Sequence, residues 1–260
     1  MRIVVHDTLV TAPYLLPQAL GWVDAMAPID GRQQLRGTDL GADDVGLIPS
    51  AEVAVLHESH RVVPEVAVVA AGDGAITMRV PVRPDEIAST AVRLYETSGT
   101  AEILARATLQ PFYGIMPTAW SANDSTDAQV AIVEGAEALR DPEAGYSEDL
   151  TRAWFILTGQ PLVSHVLVVP NGLDREAAAP FIDSLATLRA AALERRRDLR
   201  KHLSETEGID RDRLTQLFAA QRLSLETEDR RALLMLLQHG NRGSAYPYVW
   251  NLTYLEPESV

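Results

Sequence analysis

The sequence predicts an α/β protein whose sheets are substantially parallel, folded as two lobes around a central cleft with extra helices at the C-terminus. Short β-branched runs alternate with helical stretches through the first 170 residues, which is the pattern of strands followed by covering helices. Prolines mark crossing points near Pro84 and Pro170, and no linker is long enough to separate independent domains. From Asp174 onward the pattern turns to helices. One lobe is therefore assigned residues 1–85 together with 171–260, and the other residues 86–170. A double crossover leaves a cleft between the lobes, where small ligands bind by default.

Taken in order, residues 2–6 read as a buried strand, and Thr11-Ala12-Pro13 as a helix opening, a hydroxyl followed by proline. The polar, aspartate-rich segment from Thr38 to Gly46 reads as a surface connection. Leu47-Ile48 then returns to the core, and Pro49 to Val53 forms a second strand-to-helix turn. Residues 66–70 and 76–82 are expected strands on either side of a Gly72-Asp73-Gly74 turn. The second alternates Ile76, Met78, Val80 and Val82 with Thr77, Arg79 and Pro81, giving one half-solvated face. Residues 91–95 read as a strand, 97–100 as a turn and 101–110 as a helix. A buried strand, Val130 to Val133, precedes a short helix. Ser147 is the expected cap of the next helix, with Glu148 and Asp149 complementing its dipole and Gly159 ending it before a strand over 163–169. Leu185, Leu188, Ala192, Leu199 and Leu203 mark one apolar stripe at helical spacing, and Thr227 to His239 forms a final helix ended by Gly240.

At 260 residues the chain can bury a large core, and 47% apolar with 23% charged residues excludes disorder and rod-like folds. Acidic residues outnumber basic ones by 36 to 23, a net charge of −13, so nucleic acid and anionic membrane surfaces are poor partners. Without cysteine there is no disulfide, thiol nucleophile or thiolate metal site. Every apolar run is interrupted well short of the roughly 20 residues that cross a bilayer, so no membrane span is expected. The run after Met1-Arg2 is too short for a secretory leader, and with Met1 as the natural start the expected location is the cytoplasm.

Hydroxyls cluster at three strand-to-helix turns: Thr8 and Thr11, Ser50, and Thr97, Ser98 and Thr100. Free amides at a helix N-terminus hold a carboxylate without any lysine, and Gly99 would let backbone approach a ligand closely. Ordinary helix capping explains the same residues. His6 and Asp7 stand at the end of the first strand, where α/β folds place ligands. His57 and His60 lack zincin spacing and an evident third ligand, so they read as a solvated helix end and no metal is expected. His165 reads as a hydrogen-bonded core histidine unless its neighbours face the cleft. The run Arg195-Arg196-Arg197 with Arg200 and Lys201 reads as a solvated helix C-terminus. No Walker loop, Gly-x-Gly-x-x-Gly, Gly-x-Ser-x-Gly or EF-hand pattern occurs.

Several of these stretches share an order with a known family. Arg2-Ile3, Leu9-Val10-Thr11-Ala12-Pro13 and Asp44-Val45-Gly46-Leu47-Ile48-Pro49-Ser50-Ala51-Glu52, followed by Thr97-Ser98-Gly99-Thr100, Asp127-Ala128 through Gly135 with Ala138-Leu139, and Asp149-Leu150 through Trp154 with Leu157-Thr158-Gly159-Gln160-Pro161, resemble the futalosine-pathway menaquinone-biosynthesis family that includes chorismate dehydratase. The likeness covers residues 2 to about 170 and is faint beyond. It implies the type II periplasmic-binding-protein fold and a lyase that removes water from chorismate to give an enolpyruvyl benzoate, without cofactor. The residues expected to bind substrate are those of the hydroxyl-bearing turns, Thr8, Thr11, Ser50, Thr97, Ser98, Gly99 and Thr100; Ser98 is also a catalytic candidate, and His6 and Asp7 are candidate proton carriers by their position at the end of the first strand. The expected partner is a small anionic metabolite; the oligomeric state is open, a homodimer being the assembly considered. Three positions depart from the family pattern: Val10 replaces an amide, Gly99 an arginine and Ala101 a serine. That leaves a second reading, a non-catalytic carboxylate-binding protein that keeps the cleft and has lost the chemistry.

Overall fold

The computed structural model describes residues 2–23, 27–72, 74–122, 127–142, 144–240 and 244–257. Two mixed sheets form its two layers. The first has strand order β11-β4-β10-β3-β1-β2, from Gln221–Arg222 (β11), His60–Ala70 (β4), Leu162–Pro170 (β10), Val45–Pro49 (β3), Ile3–His6 (β1) and Ile29–Arg32 (β2). The second runs β7-β6-β8-β5-β9, from Met116–Ser121 (β7), Ser89–Leu94 (β6), Ala128–Glu134 (β8), Ile76–Val80 (β5) and Tyr146–Asp149 (β9). Each sheet is parallel at one end, β2-β1-β3 and β7-β6-β8, and antiparallel at the other. The expectation of substantially parallel sheets is corrected accordingly. The strands by which the chain leaves and re-enters a lobe, β4, β5 and β10, run against their neighbours.

Those strands also move the crossing points. The chain passes between sheets after Ala70 and again before Leu162, because β5 pairs with β8 and β9 while β10 pairs with β3 and β4. Residues 76–80 thus belong to the second sheet and 162–170 to the first, unlike the division expected at residues 85/86 and 170/171. The Gly72-Asp73-Gly74 segment is a lobe crossing and not a hairpin, and Asp73 lies outside the described residues. β10 reads Leu-Val-Ser-His-Val-Leu-Val-Val-Pro and is buried along its whole length, as a central strand must be. β4 begins six residues earlier than expected, because the pairing skips Pro64 to Val66 in a bulge that accommodates a proline inside a sheet.

Helices α1 (Leu16–Ala19), α2 (Val53–Leu56), α3 (Gly99–Tyr113), α4 (Ala136–Leu139) and α5 (Leu150–Thr158) follow strands, as the alternation predicts. Asp149, not Ser147, caps α5, accepting from the amides of Thr151 (2.7 Å) and Arg152 (3.0 Å). Ser147 and Glu148 are instead paired to β5. The C-terminal helices are α6 (Arg175–Glu194), α7 (Arg196–Glu207), α8 (Arg211–Ala219) and α9 (Thr227–Gly240). The leucine stripe from Leu185 to Leu203 is buried throughout, yet the helix breaks at Arg195 (φ −101°, ψ 31°). The basic run therefore opens α7 instead of closing α6, so the helix-dipole account of it fails. Among the described residues no helix is long and apolar enough to cross a membrane.

Two buried clusters hold the layers together. One packs the 3₁₀ turn Leu9–Tyr14, side chains of β1 and β3, and α6 to α8. The other joins Val4, Ile48 and Val69 of the first sheet to Met78, Val92 and Ile132 of the second, with Leu233, Leu236 and Leu237 of α9 between them. α9 packs on β10 and also on α3, and His239 meets Trp154 of α5 edge-on at 5.3 Å.

Candidate functional site between the lobes

The cleft has an open mouth and a nearly closed inner chamber. The mouth, about 600 Å³, is bordered by His6, Asp7 and Thr8 at the end of β1, by Tyr95 and Glu96 after β6, and by Glu134 and Gly135 after β8. The chamber, about 10 Å³, lies between Thr8, Val10, Glu134, Thr151, Ser164 and Gln221, room for about one water molecule. Thr8 and Glu134 belong to both. Each is delivered by the C-terminal end of a strand, the position where α/β sheets bring ligand-binding groups together.

Glu134 dominates the site. Its Oε2 accepts from the Ser98 amide at 2.6 Å and its Oε1 from the Ser98 hydroxyl at 3.0 Å. The N-terminus of α3, expected to hold a substrate carboxylate, thus holds a carboxyl of the protein's own. Burial pushes the Glu134 carboxyl above the ordinary glutamate range; the two Ser98 bonds and the more distant Arg36 guanidinium act against that rise. Gly135 makes the approach possible: its φ of 68° and ψ of −135° suit glycine, and a Cβ there would stand 3.0 Å from the Thr8 hydroxyl. Glu96, at φ 47°, is the non-glycine residue with positive φ among those described, and it too borders the mouth.

Behind the mouth, His6 Nε2 lies 3.1 Å from the Gln33 carbonyl, His6 Nδ1 lies 2.8 Å from His165 Nε2, and His165 Nδ1 lies 3.1 Å from the Ser164 hydroxyl. A carbonyl only accepts, so with both rings neutral the proton order is inferred: His6 Nε2 donates to Gln33, His165 Nε2 donates to His6, and Ser164 donates to His165. Burial holds His6 down to about 4, and burial followed by the proximity of His6 holds His165 well below its ordinary range. Ser164 is free to turn this way because β10 bulges at it, Val163 pairing with Val69 and His165 with Val68. The Val68 carbonyl, 3.2 Å from Ser164 Oγ, competes for the same proton.

The remaining expected groups are used elsewhere. Thr11, fully buried, accepts from the Thr8 amide and donates to the His6 carbonyl at 2.5 Å, so it fixes the turn after β1. Thr100, also fully buried, accepts from the Ala51 amide at 3.1 Å and ties α3 to the turn after β3. Ser50 is enclosed with its hydroxyl unpaired and does not border the cleft, and Thr97 is buried. Gly99 leaves room for Tyr246, whose hydroxyl donates to Glu52 at 2.5 Å, and not for a ligand. Of the expected groups, Asp7 keeps an exposed side chain on the mouth, which Glu96 shares. His57 bonds to the Ala54 carbonyl at the end of α2, while His60 opens β4 beside Ser59; the two do not act as a unit.

Groups that the sequence did not single out complete the chamber. The Thr151 hydroxyl and both polar atoms of the Gln221 amide are enclosed without hydrogen-bond partners, so they supply unused donors and acceptors around the inner space. Glu134 carried a readable signal, a carboxylate ending the apolar strand Val130 to Val133. Gln221 carried none.

These features define a class: two α/β lobes around an inter-lobe ligand cleft, the type II periplasmic-binding-protein fold. Protein AF1704 from Archaeoglobus fulgidus has that fold at a TM-score of 0.66 and 15% identity, over 92% of this chain and 96% of that one. The aliphatic sulphonate binding protein SsuA from Escherichia coli matches at 0.62 and 14%, over 96% and 94%. An ABC transporter protein from Parabacteroides distasonis matches at 0.60 and 13%, over 99% and 98%. No curated protein matches the chain in sequence. The family model for menaquinone biosynthesis matches residues 38–242, and the chain belongs to that family.

Proposed function

We propose that the protein is a chorismate dehydratase-like carbon–oxygen lyase, removing water from the cyclohexadiene ring of chorismate to leave an aromatic enolpyruvyl benzoate. Family membership supports the pathway, and Glu134 supports the chemistry. A plain anion-binding protein keeps its helix N-terminus clear for the ligand, whereas here that terminus holds a carboxyl whose burial favours the protonated form. Neutral Glu134 admits an anionic substrate and then protonates the departing ring hydroxyl. Asp7, across the mouth, accepts the proton from the adjacent ring carbon; the C–H pair becomes the new ring double bond, hydroxide leaves as water, and solvent returns both carboxyls to their starting states. Ser98 acts through Glu134 as a positioning residue. Both nitrogens of His6 are occupied, so it holds the floor of the site in place.

The test is to mix the purified protein with chorismate and follow the aromatic product by chromatography and ultraviolet absorbance. Product should form, and Glu134→Gln should slow it by about 10²-fold or more with the fold intact. The second reading, a carboxylate-binding protein, draws on the unpaired Thr151 and Gln221 groups; ligand-induced thermal stabilisation without product would favour it. Neither product nor stabilisation would overturn both.

A further inference from the structure

A second cavity, about 520 Å³ and open to the surface, is bordered by α6, α7, α8 and the segment from Gln221 to Ser224, and shares no residue with the mouth of the cleft. Its size falls within the range of small-molecule sites. Pro13, Ala192, Leu199, Phe218 and Leu223 give it apolar walls. Arg196 and Arg200, one turn apart on α7, stand over them. Arg200 donates to the Thr215 hydroxyl at 2.8 Å, and among the described residues neither arginine has a carboxylate partner. The lining also includes Gln221, whose amide nitrogen and oxygen are both buried and unpaired. In a chain of net charge −13, this apolar hollow is bordered by three arginines, Arg189 besides Arg196 and Arg200.

We infer that this cavity is a binding site for an amphipathic anion: an aromatic or branched aliphatic body bearing one carboxylate or sulfonate. The body lies against Leu199, Phe218 and Leu223, Arg196 and Arg200 take the anionic group, and the Gln221 amide takes a hydroxyl or carbonyl. The run of arginines that opens α7 then has a use that neither the helix dipole nor the cleft gives it. Because Gln221 also borders the inner chamber, the two sites share one side chain.

The test is fluorescence titration of the whole protein with the anionic probe 8-anilinonaphthalene-1-sulfonate and its neutral analogue N-phenyl-1-naphthylamine. One saturable site per chain is expected. Arg196→Ala/Arg200→Ala should weaken the anionic probe by about tenfold or more and leave the neutral one within about twofold, the loss of one charge-assisted contact or more. Filling the rim with Ala219→Trp or Leu193→Trp, both at exposed positions, should abolish both probes, with circular dichroism confirming the fold. Glu134→Gln should alter neither. Unchanged binding in the rim and arginine variants, sensitivity to Glu134→Gln instead, or equal loss of both probes in the arginine variant would overturn the inference.

Discussion

Gly99 is a glycine because of Tyr246. A Cβ at that position would fall 1.7 Å from the tyrosine hydroxyl and 2.8 Å from Glu52, two buried side chains that also bind the exposed Arg36, with Glu52 accepting from the Gly37 amide as well. Gly99→Ala is therefore expected to lower stability by about 2–3 kcal/mol, measured as a shift in the urea midpoint. The histidine pair sets a pH dependence. His6 is held at about 4 in the fold and lies near 6.5 when unfolded, so the unfolded chain binds the extra proton first as the solution is acidified. Stability should be full above about pH 6.5 and fall between 6.5 and 4, by about 3 kcal/mol from His6 alone; His6→Gln/His165→Gln should flatten that slope in denaturation profiles. Glu134 has the opposite sign: its carboxyl is raised in the fold, so its charging weakens the protein as pH rises through the folded value, and Glu134→Gln should remove that loss.

Among the elements, α5 shows how a local signal can be read correctly in kind and wrongly in place. A capped helix ending at Gly159 was legible, but Asp149 takes the cap because β9 claims the two residues before it. Asp149 also accepts from the Gly74 amide at 2.7 Å, anchoring the first lobe crossing. Asp149→Ala should cost about 1–2 kcal/mol in thermal unfolding and Asp149→Asn much less. The cleft was legible to the same degree. His6, Asp7 and Thr8 follow from the end of a first buried strand, and Ser98 from its turn. That Glu134 would settle on Ser98 was not, since the contact joins residues 36 apart whose turns carry no mark of each other. The bulge at Ser164 was equally hidden: a strand buried along its whole length has no in-out alternation to show which residue the pairing skips. The expected strand over 66–70 is short for a related reason: β4 runs back past Pro64, which it takes in by looping past it.

At the scale of the whole molecule, the lobes do not own separate cores. Val4 and Ile48 share a cluster with Met78 and Ile132, and the leucines of α9 fill the seam. The protein should accordingly unfold in one transition by every probe, and Leu236→Ala, at a site 1% exposed, should lower that single transition by about 2–5 kcal/mol without splitting it.

The seating of α9 also constrains how the jaws can part. A helix resting on β10 of one lobe and on α3 and α5 of the other leaves no bare pivot to swing about, so opening must slide packed surfaces past each other in small steps. Any such opening would then be governed by how readily the leucines of α9 change their grooves, a brake set on the helix that fills the seam.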